Sequence, residues 1–143
     1  MRFMMLVKAS RDSEAGVLPT RELIAAMGQF NEEMIRAGVM LAGDGLQPSS
    51  KGARIRYSGK GRTVTDGPFP ETKELLAGYW VIQVKSRDEA LQWALRVPFE
   101  EGEEVELRQI FEPTDFPAEI LPPEEAAREQ AWREGMQQKA GAR

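Results

Sequence analysis

The chain has no cysteine and no histidine. The first absence excludes a disulfide framework, a thiolate nucleophile and thiolate-bound zinc or iron–sulfur clusters. The second removes the commonest general base and the commonest protein ligand for zinc, copper and haem. Neither a Ser-His-Asp triad nor a His-based hydrolytic zinc site can be built from its 143 residues. No apolar run reaches about 18 residues, so no membrane span is expected. Met1 to Lys8 is too short an apolar stretch for a secretion signal, has no small-residue cleavage site behind it, and reads as a first strand. These absences predict a cytoplasmic protein of a bacterial cell.

Positive charge is scarce too: 19 Lys and Arg stand against 23 Asp and Glu, a net charge of −4. That balance argues against a nucleic-acid partner, whose phosphates are bound by neutralisation. The charge is uneven, with residues 1–65 at +4 and residues 66–143 at −8. Such a split suits two-fold or head-to-tail self-association, and solvated faces explain it equally well.

The remaining pattern is that of one folded domain with an extension. Residues 2–8 read as a central strand, apolar on both faces. Ser10 to Pro19 reads as a polar loop. Thr20 is placed to cap a helix over 21–37, where Leu23, Ile24, Met27, Phe30, Met34 and Ile35 recur at helical spacing and Gly38 terminates it. Val39 to Ala42 is a short strand running into Gly43-Asp44-Gly45-Leu46, a turn or bulge. Residues 53–57 and 62–65 form a hairpin around Ser58-Gly59-Lys60-Gly61. A strand over 78–84, a helix capped by Ser86 and Asp88 and ended by Pro98, and a strand over 104–111 complete the order. This is a βαβ, hairpin, βαβ arrangement, a ferredoxin-like α+β sandwich with its helices on one sheet face. Arg54, Arg56, Tyr79, Glu106 and Arg108 mix with apolar residues on the strands. A second sheet face of that kind suits another subunit, with a cavity between the two sheets. Residues 113–143 change character: a proline-rich arm leads to a polar helix from Pro123 to about Gln138, with Phe116, Ile120 and Trp132 as its expected anchors.

The densest chemistry lies in Thr65-Asp66-Gly67-Pro68-Phe69-Pro70-Glu71-Thr72-Lys73-Glu74. Asp-Gly-Pro is turn chemistry, with residue 67 expected at positive φ, and Pro68 and Pro70 stiffen the segment. The loop reads either as a structural turn or as the wall of a site. Its acids Asp66 and Glu74 stand nearest a stiff apolar segment, where desolvation favours proton transfer. Gly43-Asp44-Gly45 and Gly59-Lys60-Gly61 fit neither a dinucleotide fingerprint nor a P-loop and read as turns, so no cofactor is expected. The acids Asp44, Asp66, Glu71 and Glu74 lack the spacing of a cation loop, and no metal is expected. Glu106 and Arg108 fall on one strand face. They are either an ion pair or a carboxylate-binding arginine oriented by its neighbour.

The string TDGPFPETKE resembles the signature of the YCII-related (DGPF) family. Ala37-Gly38-Val39, Leu41 to Pro48, Gly78-Tyr79-Trp80, Asp88 to Ala94 and Val105 to Arg108 resemble its other blocks. The resemblance covers residues 1–112 and implies a ferredoxin-like domain that dimerises as an α/β barrel. It implies a small-molecule protein without an established reaction, acting on a small, cyclic or aromatic acid. Asp66 and Glu74 would handle protons, and Phe69, Lys73, Tyr79 and Arg108 would bind. The suggested His-Asp pair of small members is missing here. The alternative it implies is a non-catalytic accessory protein of an extracytoplasmic-function sigma factor system, with the acidic stretch 100–134 as its partner surface.

Overall fold

The computed structural model describes residues 1–141. The chain divides into two compact units, Met1–Ile110 and Phe111–Arg143. In the first, β1 (Arg2–Lys8), β2 (Met40–Gly45), β5 (Leu76–Gln83) and β6 (Val105–Gln109) form an antiparallel sheet in the order β2-β5-β1-β6. The strands β3 (Ala53–Ser58) and β4 (Gly61–Asp66) make a separate two-stranded ribbon. The helices are α1 (Arg11–Glu14), α2 (Arg21–Arg36) and α3 (Arg87–Leu95). The strand order and the helix-containing connections are those of an α+β fold compatible with a ferredoxin-like sandwich.

Local chemistry explains most boundaries. The Thr20 side chain accepts a hydrogen bond from the Leu23 amide, and the helix ends at Gly38, whose φ of 71° is the left-handed conformation a glycine adopts without cost. Ser86 caps α3 in the same way through the Glu89 amide. Ser10 to Pro19 is not wholly loop, because Ser10 and Ser13 form a capping box around the single turn of α1. The Gly43-Asp44-Gly45 segment is not a turn but the end of β2, paired with Trp80, Tyr79 and Gly78.

The core lies between one sheet face and the two longer helices of this unit. Phe3 and Met5 from β1, and Trp80 and Ile82 from β5, alternate inward and meet Phe30 and Met34 of α2 and Ala90 of α3. Met5, Met34 and Ile82 are completely buried, each a contribution of about 1.5–3 kcal/mol over its exposed state. Phe30 meets Trp80 edge to face at 5.6 Å, and the Trp80 indole N–H donates to Asn31 Oδ1 at 2.8 Å. The buried tryptophan thus keeps its polar atom satisfied.

The second unit comprises a one-turn 3₁₀ helix at Pro113–Asp115 and α4 (Pro123–Gly141). The Phe111 and Phe116 rings stack at 5.0 Å. Of the three expected anchors, Phe116 is 37% exposed, Ile120 69% and Trp132 61%. No described helix is long and apolar enough to cross a membrane.

Candidate functional site

Strand alternation sends Phe3, Met5, Trp80 and Ile82 into the core, so Met4, Leu6 and Lys8 of β1, and Tyr79 and Val81 of β5, point to the opposite sheet face. The register aligns Asp44, Tyr79, Leu6 and Glu106 as one row across all four strands. Ala42, Val81, Met4 and Arg108 make the adjacent row. Met4, Leu6 and Val81 are half-buried and form an apolar strip between two polar ends.

At one end the Tyr79 hydroxyl donates to Asp44 Oδ2 at 2.8 Å. That bond, with the nearby negative charge and some desolvation, raises the Tyr79 pKa above its ordinary value, so the phenol stays protonated and remains a donor. At the other end Glu106 holds two cations, Lys8 Nζ at 3.3 Å on one oxygen and Arg108 Nε at 3.5 Å on the other. The Arg108 side chain is 72% exposed.

The 66–74 loop is built differently from the turn expected there. Gly67 does not have positive φ, and the Gly67-Pro68 peptide is cis. Glycine is required because of proximity: a Cβ at residue 67 would lie 1.8 Å from the Ser49 carbonyl oxygen. The Gly67 amide donates to Gly52 O at 2.9 Å, and the Phe69 amide to Ser49 Oγ at 3.0 Å. Ser49 is held in turn by Glu14, whose carboxylate accepts the Ser49 amide at 2.9 Å and also its hydroxyl. The Arg54 guanidinium sits 3.9 Å over the Phe69 ring and pairs with Glu71 at 3.1 Å. The hydrogen bond from Arg54, with a backbone hydrogen bond and the guanidinium charge, holds the Glu71 carboxyl below its ordinary value of 4.5.

Of the six residues singled out from the sequence, Tyr79 and Arg108 share the sheet face described above. Phe69 is occupied by Arg54. Asp66 ends β4 opposite Ala53, and Glu74 closes the 3₁₀ turn Thr72–Glu74. Both acids are exposed and make no hydrogen bond or ion pair through their carboxylates among the described residues. Lys73 lines a cleft of about 360 Å³ together with Lys8, Ser10, Ser13, Phe99 and Glu104. Lys8 therefore belongs both to this cleft and to the sheet-face site. The sequence reading missed Lys8, Asp44, Glu14 and Ser49. Asp44 was recoverable by extending the strand alternation through Gly43. Glu14 and Ser49 carry no local signal, since their partnership spans 35 residues.

The YCII-related domain model matches residues 1–114. An uncharacterised protein of Rhizobium meliloti (strain 1021) is 36% identical over 77 residues, which cover 51% of this chain and 62% of that protein. The chain thus spans less than two thirds of the length of that relative. With the match covering the whole sheet and its helices, the chain belongs to the YCII-related family.

Proposed function

We propose that the chain binds a small acidic molecule with a cyclic or aromatic body, in a pocket formed when two copies bring their sheet faces together as a dimeric α/β barrel. One observation carries this reading: a single face joins the apolar strip Met4, Leu6 and Val81 to a protonated phenol at one end and an arginine at the other. A ligand carboxylate fits the outer nitrogens of Arg108, which Glu106 orients through Nε. A ring lies on the strip between the two polar ends, and a hydroxyl or carbonyl meets the Tyr79–Asp44 pair. Lys73, on the same cleft as Lys8, adds a third cation to Lys8 and Arg108. Asp66, Phe69 and Glu74 stand on the ribbon and loop, outside the binding set proposed here.

The test is a thermal-shift titration with aromatic and lactone-type carboxylic acids. A ligand at a hundredfold its Kd stabilises by about 2.7 kcal/mol, a clear rise in melting temperature. Arg108→Gln is expected to abolish the rise, and Tyr79→Phe to reduce it. An unchanged melting temperature with every acid, or an equal rise in Arg108→Gln, rejects the reading.

A further inference from the structure

Every residue of the β3–β4 ribbon is exposed. A two-stranded ribbon so little buried is marginal in water. Its register sets Ile55 opposite Val64 and Tyr57 opposite Arg62, so these four side chains share one face. Ile55, Val64 and Tyr57 are 49%, 63% and 71% exposed. The other face carries Arg54, and it is this face that meets the 67–71 loop. The apolar face has an appropriate composition for an interface and is exposed in its own unit.

Charge identifies what covers it. From Lys51 to Thr65 there are five bases (Lys51, Arg54, Arg56, Lys60, Arg62) and no acid. Arg62 lies over Tyr57 at 4.6 Å and donates to the Gly61 carbonyl, and neither it nor Lys60 is in an ion pair with a described residue. The loop before β6 and the start of that strand have the opposite pattern: Glu100, Glu101, Glu103, Glu104 and Glu106 occur with no base between Arg96 and Arg108. Glu101 and Glu104 are exposed, and neither forms an ion pair among the described residues. No ion pair joins the ribbon to this acidic loop within the described chain. Each chain thus offers a basic, partly apolar arm in which Lys60 and Arg62 have no ion pair among the described residues, and an acidic strip in which Glu101 and Glu104 have none. Two copies related by a two-fold axis satisfy both at once, and the assembly closes. A nucleic acid is the other polyanion such an arm can meet, but the net charge of −4 opposes its approach.

We propose that the β3–β4 ribbon is an arm that docks on a second copy of this chain, its Ile55, Tyr57 and Val64 face against that copy and Lys60 and Arg62 on its Glu101 and Glu104. This contact does not depend on the sheet-face ligand site.

A charge swap in the full chain tests it. Two variants are made, Lys60→Glu with Arg62→Glu, and Glu101→Lys with Glu104→Lys, and each is checked for parental circular dichroism. Sedimentation velocity at micromolar concentration is then run on each variant and on their mixture. The parent is expected to be a dimer that weakens as salt rises. Each variant alone opposes like charges and is expected to dimerise roughly a hundredfold more weakly. An equimolar mixture is expected to restore the dimer, because each reversed arm now meets a reversed strip. Tyr57→Ser with Val64→Ser tests the apolar half separately and is expected to weaken the dimer as each charge variant does. The proposal fails if the parent is a monomer, if either charge variant dimerises like the parent, or if the mixture stays monomeric. A monomeric parent that retains a single-stranded oligonucleotide through Lys60 and Arg62 would assign the arm to nucleic acid instead.

Discussion

Replacing Gly67 by alanine places a methyl carbon 1.8 Å from the Ser49 carbonyl oxygen and 2.6 Å from its carbon. Both atoms are backbone, so no flexible side chain can swing aside. The two segments must separate by more than an ångström to reach ordinary contact, and separation acts directly on the bonds that tie them together. The Gly67 amide to Gly52 O bond, at 2.9 Å, and the Phe69 amide to Ser49 Oγ bond, at 3.0 Å, both cross that gap. Overpacking costs about 1–3 kcal/mol, and each weakened hydrogen bond adds about 0.5–1.5 kcal/mol. The expected loss is about 2–4 kcal/mol, which for a chain of this size lowers the melting temperature by roughly 6–15 °C. The informative control is Gly59→Ala. Gly59 has φ of 54° but open space around its Cβ position, so only the left-handed backbone penalty of about 1–2 kcal/mol applies. Thermal unfolding followed by circular dichroism should rank Gly67→Ala well below Gly59→Ala. Equal melting temperatures, or Gly67→Ala within a degree of the parent, would refute the close-approach account.

Two further predictions concern the same loop. Ser49→Ala removes the acceptor of the Phe69 amide and one donor to Glu14; denaturant unfolding should show a loss of about 1–3 kcal/mol, since partly buried polar groups are left unpaired. The lowered Glu71 pKa stabilises the fold above the ordinary value of 4.5, and that contribution disappears as pH falls through the lower folded-state value. Melting temperatures of parent and Arg54→Ala should therefore differ at neutral pH and draw closer as pH falls below 4.5 and through the lower folded-state value; a gap independent of pH would mean that the stacking of Arg54 on Phe69, not the ion pair, makes the difference.

The central strand, the long helix with its Thr20 cap and Gly38 stop, the glycine-turned hairpin and the Ser86-capped helix were legible because each rests on near neighbours in the chain. The features that stayed hidden depend on distant ones. Asp44 looks like a turn residue until β5 lies beside it and Tyr79 meets its carboxylate. Gly67 looks like a left-handed glycine, and the reason for it is a carbonyl 18 residues upstream. The acids Asp66 and Glu74 looked sheltered because prolines and Phe69 surround them in sequence, yet Phe69 turns to Arg54 and both carboxylates face outward. Periodicity likewise identified Glu106 and Arg108 as neighbours on one face. It carried no information that Lys8, from another strand, takes the second oxygen of Glu106.

The strand order of the sheet has a consequence for how the protein avoids unwanted assembly. In the order β2-β5-β1-β6 the two outer strands each leave a row of backbone groups without a neighbour in the sheet. Such rows are templates for the strands of other molecules and a route to fibrous aggregates. On β2 the register slips between Met40 and Ala42, and the strand then runs out through Gly43, Asp44 and Gly45. The slip breaks the regular spacing of donors and acceptors, and the glycines and the aspartate give a foreign strand little to pair with. β6 spans only five residues, with Glu106 and Arg108 among them. Brevity and charge protect one border of the sheet, and irregular spacing protects the other.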